Sequence, residues 1–216
     1  MVHDLSKDIS ILNQYVSEIR NVNVQNDRLR FRTNLERIGS VMAYEISKHL
    51  EYEIKDIETP LGVAHCQVLK SELVLASIMR AGIPMHNGLL RVFDQAENAF
   101  ISAYRKHDKD GGFSIKLEYV SKPDLTDKIL ILCDPMLATG ASMGLTYKTL
   151  IQDSKPKHTH ILSAIASSEG VEYMKKHFSQ KDITIWSAAI DDELTAQSYI
   201  VPGLGDAGDL AYGKKL

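Results

Sequence analysis

Ile129-Leu130-Ile131-Leu132-Cys133-Asp134-Pro135-Met136-Leu137-Ala138-Thr139-Gly140-Ala141-Ser142 is the stretch on which the fold turns. Its first five residues are apolar without alternation, the pattern of a strand buried on both faces, and parallel sheets are where such strands occur. The strand runs into a loop of small residues and then into a helical pattern over 142–152. Consecutive small residues let backbone N–H groups curl toward one point at a helix N-terminus, where the helix dipole also favours an anion. The loop is therefore a candidate cradle for a phosphate monoester. Asp134 is placed to accept hydrogen bonds from vicinal ribose hydroxyls, with Thr139 and Ser142 adding hydroxyls to the phosphate. A plainer reading stays open beside it, in which Asp134-Pro135 is a turn and Ser142 a helix N-cap.

Working outward, short apolar runs at 63–69, 73–79, 99–104, 113–120, 160–166 and 183–190 read as further strands. Several lead through a small-residue loop into a helical pattern: Arg80-Ala81-Gly82 before 83–93, and Ser167-Ser168 before 169–178. This alternation predicts an α/β fold with a mainly parallel twisted sheet flanked by helices. Such sheets bind ligands beyond the carboxyl ends of their strands, so these loops are site candidates. Leu35, Ile38, Met42, Ile46 and Leu50 predict an amphipathic helix over 34–50. The polar, glycine-ended stretch 105–112 reads as a mobile hairpin tip.

The chain has 216 residues, 44% hydrophobic and 25% charged, enough for one sizeable core. A net charge of −3 gives no general attraction to nucleic acid. Cys66 and Cys133 stand singly in apolar stretches and read as small buried hydrophobes, with no Cys-x-x-Cys spacing for a disulfide framework or zinc. His158-x-His160 lacks a third ligand nearby and reads as surface and edge packing; Trp186 reads as a strand residue. The opening MVHDLSKDIS has no signal-peptide pattern, and no stretch approaches the ~20 apolar residues of a membrane helix, so cytoplasm is the expected compartment. No Gly-x-x-x-x-Gly-Lys-[Ser/Thr] is present, and the Gly-x-Gly-x-x-Gly at 203–208 stands too close to Leu216 for the helix and acidic residue of a dinucleotide site to follow.

The 134–142 loop resembles the phosphoribosyl-diphosphate (PRPP) motif of the phosphoribosyltransferases, in the Asp-Pro-Met-Leu-Ala-Thr-Gly form of the uracil phosphoribosyltransferase family. Three further segments are similar to that family in the same order: 27–62, with Arg30-Phe31-Arg32-Thr33-Asn34-Leu35 and Glu58-Thr59-Pro60-Leu61-Gly62; Ser77-Ile78-Met79-Arg80-Ala81-Gly82-Ile83-Pro84-Met85; and Tyr199-Ile200-Val201-Pro202-Gly203-Leu204-Gly205-Asp206-Ala207-Gly208-Asp209. The resemblance implies a type I phosphoribosyltransferase fold, one domain over 1–216, with a base-binding hood at about 190–216 and a mobile β-hairpin. It implies pyrimidine salvage by uracil + PRPP → UMP + diphosphate, with Mg²⁺ carried by PRPP rather than by a protein cage. Arg80, Arg105, Asp134 and Asp206 are the implied catalytic residues. PRPP falls to Arg80, Arg105, residues 134–142 and Asp206, and uracil to Ile200, Gly205, Asp206 and Ala207. Planar guanidiniums suit diphosphate oxygens, and main-chain groups at 200–207 suit a small flat ring with two carbonyls. Asp206 is also a candidate base for the N1 proton. The family resemblance further implies a homodimer or homotetramer and makes GTP a candidate allosteric activator, with no nucleic-acid or membrane partner.

Ala141 stands where the family has Gly, Ser77 where it has Pro, and Ile83-Pro84 where it has Leu-Gly; a basic residue commonly follows the position of Asp209, here Leu210. The alternatives are a regulator of pyrimidine genes on the same fold, binding nucleotide and RNA, and an enzyme for a purine base. The first needs a basic surface; the second lacks the segment 200–209.

Overall fold

A computed structural model describes the backbone of residues 1–107 and 113–214, and the side chains of these residues apart from 103–107 and 113–117. In chain order the elements are β1 (Val2–Asp4), α1 (Ile11–Arg20), α2 (Arg28–Ser47), β2 (Tyr52–Thr59), β3 (Gly62–Leu69), β4 (Leu73–Met79), α3 (Ile83–Leu90), β5 (Glu97–His107) and β6 (Phe113–Ser121). They continue with β7 (Ile129–Cys133), β8 (Met136–Leu137), α4 (Ala141–Leu150), β9 (His158–Ser167), α5 (Ser168–His177), β10 (Ile183–Asp191), β11 (Glu193–Leu194), β12 (Ile200–Val201) and α6 (Ala207–Tyr212).

The main sheet runs β1-β10-β9-β7-β4-β5-β6, and every neighbouring pair is parallel except β5 with β6. Strands covered on both faces explain the unbroken apolar runs. Leu75, Ile131, Leu162 and Trp186 point to the layer of α1, α2 and α3, whereas Val74, Leu130, Ile161 and Ile185 point to the layer of α4 and α5. From β4 the chain proceeds to β5 on one side and later returns to β7 on the other. The switch point of the sheet thus lies between β4 and β7, where ligands of open α/β sheets bind.

Several expectations need correcting. The helix expected at 34–50 starts earlier, at Arg28, because Asp27 caps it through the Arg30 N–H, and it ends at Ser47. The strand expected at 63–69 is β3, and it joins not the main sheet but β2, in a separate antiparallel ribbon. Cys66 lies on that ribbon and is only half-buried, while Cys133 is fully buried. His160 is a core residue: β9 sits between β7 and β10, and the ring is buried against Trp186, whose Nε1 donates to Nδ1 at 3.0 Å. The hairpin tip expected at 105–112 falls largely on residues 108–112, outside the described residues. Among the described residues no helix is long and apolar enough to cross a membrane.

Candidate active site

Five parallel neighbours bring five segments to one edge. Asp191 ends β10, Ser167 ends β9, Asp134 follows β7, Arg80 follows β4, and Arg105 lies in β5 beyond the last β4 pairing at Met79–Ser102. The loop after β7 is more ordered by hydrogen bonds than its sequence suggests. Pro135 O accepts from Ile165 N at 2.9 Å, and Met136–Leu137 form a short strand against β9. Asp134 Oδ1 accepts from the Met136 N–H at 3.4 Å, and Ala138 O accepts from Ser167 Oγ at 2.5 Å.

The loop then turns into α4 at Gly140, whose φ of +79° suits only glycine without strain. Gly140, not Ser142, is the N-cap; Ser142 is the second helical residue, half-buried. The first-turn N–H groups of a helix have no intrahelical acceptor, so Ser142 and Met143 present theirs toward the loop. The Ala141 N–H is met by Thr139 Oγ1 at 3.4 Å. Ala141 lies in ordinary helical backbone, not among the positive-φ residues, so its methyl costs no backbone strain. Gly170, at the start of α5, is packed so closely that a Cβ there would lie 2.3 Å from Ala138 O. The loop is thereby braced from behind by Ser167 and Gly170, which local sequence signals mark only as a helix start.

Arg80 and Ala81-Gly82 leave β4 beside this loop: Gly82 packs with its Cβ direction 3.0 Å from Cys133 O. Pro84 sits in the first turn of α3, where a missing N–H costs nothing, so the Ile83-Pro84 departure is compatible with the helix. Arg80 leans toward the C-terminal segment. Its Nη2 donates to Gly213 O at 3.2 Å and lies 3.7 Å from Asp209 Oδ1, while its buried Nε has no hydrogen-bond partner among the described residues. The peptide bonds Met79–Arg80 and Val201–Pro202 are cis.

In the hood, Ile200 is buried in β12 and pairs with Leu194. Gly205 has φ +93° and open space where a Cβ would be, so main chain is accessible there. Asp206 caps α6, its Oδ1 accepting from the Asp209 N–H at 2.9 Å, and Ala207 is buried behind it. A Cβ on Gly208 would stand 3.2 Å from Asp206 Oδ1 and 3.8 Å from Arg80 Nη2, which places the carboxylate and the guanidinium around one small space. The structure thus brings Arg80, Asp206 and the hood together, on the edge that also holds 134–142. Arg105 is fixed there only through its backbone, opposite Ile115; its side chain lies outside the described residues.

Cys133, beside Asp134, is not a nucleophile: burial first, and the Asp134 charge second, push its thiol well above the usual range. A separate groove lies elsewhere. About 390 Å³, lined by His3, His49, Lys157, His158, His160 and Trp186, it opens at the opposite end of the strands, where β1, β7, β9 and β10 begin.

The family model for uracil phosphoribosyltransferase matches residues 7–214. A uracil phosphoribosyltransferase of Porphyromonas gingivalis is 55% identical over 212 residues, 98% of each chain. The structure is similar to that of the AQ2163 protein of Aquifex aeolicus, with a TM-score of 0.88, 28% identity and complete coverage of both chains. A hypoxanthine phosphoribosyltransferase of Staphylococcus aureus shares the fold alone, at a TM-score of 0.50 and 11% identity over 74% of each chain. The family match spans nearly the whole chain, including β7 with the loop after it, the Arg80 segment and the glycine-rich C-terminal segment, and the chain belongs to the uracil phosphoribosyltransferase family.

Proposed function

We propose that this chain transfers the 5-phosphoribosyl group of PRPP to N1 of uracil, giving UMP and diphosphate, in pyrimidine salvage. The observation that carries the reading is the meeting of Arg80, Asp206 and Gly208 at the sheet edge that also holds the 134–142 loop. In this reading the α4 amides and Thr139 take the 5′-phosphate, and Asp134 takes the ribose hydroxyls. Arg80 and Arg105 take the diphosphate, and Ile200, Gly205, Asp206 and Ala207 surround the base. The C1′–O bond breaks with its electron pair leaving on diphosphate, the C1′–N1 bond forms, and N1 gives up its proton. Apart from accepting that proton, the residues' task is positioning and charge stabilisation at C1′.

Phosphoribosyltransferases use Mg²⁺ with PRPP, where it offsets diphosphate charge. Mg²⁺ commonly takes one or two carboxylates plus substrate phosphates and water, and Asp134, after β7, is the carboxylate that would share it with PRPP. Asp206 is the proposed base, although its Oδ1 is already engaged as the α6 cap; an Asp206→Asn enzyme with near-normal turnover would end that assignment. We further read the chain as one domain acting in the cytoplasm as a homo-oligomer. Supporting assembly, the β2–β3 ribbon exposes Ile54, Leu61 and Val63, and a lone two-stranded ribbon is marginal unless something packs on it. GTP activation remains the family's suggestion, with titration of GTP into the assay as its check.

The deciding assay supplies PRPP and Mg²⁺ with uracil, hypoxanthine, guanine, adenine or orotate and follows diphosphate release. Release with uracil alone is expected. Release with another base instead would overturn the hood assignment while leaving the PRPP loop, and no release with any base would turn the reading toward the nucleotide-binding regulator, which is otherwise not favoured.

A further inference from the structure

Arg20 and Asp191 take no part in the contacts assigned above, yet they grip the turn that carries the base-reading segment. Arg20, the last residue of α1, donates from Nη1 to Asp191 Oδ2 at 2.7 Å and from Nη2 to Asp191 Oδ1 at 2.8 Å. The same pair holds Gly203 at both ends of its polar backbone: Arg20 Nη1 donates to Gly203 O at 2.9 Å, and the Gly203 N–H donates to Asp191 Oδ2 at 2.9 Å. The side chains are 22% and 8% exposed, so little water competes for these bonds. Planar, two-pronged pairing of this kind fixes geometry as well as charge.

What they fix is the start of the hood. Gly203 has φ +56°, and a Cβ there would stand 2.1 Å from Ile200 O, so residues 200–203 are folded tightly on themselves. The far end of the hood has a separate anchor, where Arg32 Nη1 donates to Ala211 O at 2.7 Å and Arg80 Nη2 to Gly213 O. Between the two anchors lies Gly205, the position with open space beside its main chain. The attachment of α1 to the body does not depend on the pair, because Leu12, Val16 and Ile19 bury its apolar face.

We infer that Arg20 and Asp191 are positioning residues for base recognition. They set where the main-chain groups of 200–207 stand and touch neither substrate. The inference rests on the reading of this segment as the uracil site. Losing the bidentate pair frees the turn without removing any group that meets PRPP, so the loss falls on uracil.

Asp191→Asn and Arg20→Lys, each made in the full chain, test this by steady-state kinetics in both substrates together with amide hydrogen exchange of the ligand-free proteins. In each variant the KM for uracil is expected to rise about tenfold, the equivalent of roughly 1.4 kcal/mol, with the KM for PRPP held within about twofold. The double variant should be no worse than the poorer single one, and exchange at Gly203–Gly205 should quicken while the α4 amides keep their protection. A parallel rise in both KM values, or an unchanged KM for uracil in a protein that merely melts earlier, would reduce the pair to a structural role and overturn the inference. Exchange at Gly203–Gly205 that does not respond would overturn it whatever the base. Should that exchange quicken in an enzyme that ignores uracil, the clamp stands and the base-site reading has failed.

Discussion

Gly203 and Gly205 occupy one turn and need glycine for different reasons. At Gly203 a methyl would collide with the Ile200 carbonyl, whereas at Gly205 the surroundings are open and only the φ of +93° resists a side chain. Gly203→Ala is therefore expected to lose about 1–3 kcal/mol of stability, as overpacked sites do, with a visible fall in Tm. Gly205→Ala should cost roughly 1 kcal/mol in stability and instead raise the KM for uracil several-fold, because a methyl now stands where the base approaches. Kinetics and melting of the two variants side by side check the contrast. His160 makes a prediction of another kind. Burial, then the neighbouring His158, His49 and His3, push its pKa down to about 3, and burial likewise lowers His3, His86 and His158 from 6.5. The unfolded chain thus binds protons that the folded chain refuses, so stability is full above about pH 6.5 and falls as pH drops toward about 3. Between pH 6.5 and 5 the carboxylates are largely silent, and His160 alone supplies a slope approaching ~1.4 kcal/mol per pH unit. Urea midpoints measured across that interval should decline; a flat curve would contradict the buried neutral ring.

At the scale of elements, the close crossing of α2 and α3 positions the segment that carries Arg80. A Cβ at Gly88 would lie 2.0 Å from Glu36 O, one at Gly39 would lie 2.3 Å from Met85 O, and Ser40 Oγ donates to Gly88 O at 3.0 Å. Gly88→Ala should push the helices apart at a cost of about 1–3 kcal/mol and, by shifting α3, weaken PRPP use as well; thermal melts and the KM for PRPP report the two effects. The central strands and the helices after Arg80, Gly140 and Ser167 were legible because buried parallel strands leave unbroken apolar runs and their loops are small-residue breaks. α1 carries a legible signal of the same kind, with Leu12, Val16 and Ile19 at three-and-four spacing behind a Ser10 cap and Asn13, Gln14, Ser17 and Glu18 between them. β1 is three residues long, too short for any periodicity, and is held by its register with Ile185–Ser187. His160 read as an edge residue because a polar side chain in a core strand gives no local sign that Trp186 satisfies it. The candidate site divides in the same way. Its loop and hood are contiguous motifs, whereas Arg20 and Asp191 are 171 residues apart and become partners only through the fold.

Over the whole molecule, the proposed site runs along one edge of the sheet, with the phosphate at the start of α4 and the base at the hood, and the histidine-lined groove at the other end stands apart from it. UMP carries phosphate, ribose and base in a single molecule and so samples the full length of the proposed site. Titrating UMP into deuterated, ¹⁵N-labelled protein and following amide shifts is the most direct test. Large shifts are expected at Thr139–Met143 and at Gly203–Ala207 together, with the amides around His3, His49 and Trp186 unmoved. Shifts concentrated at that opposite groove, or at the loop with none in the hood, would contradict the proposed site.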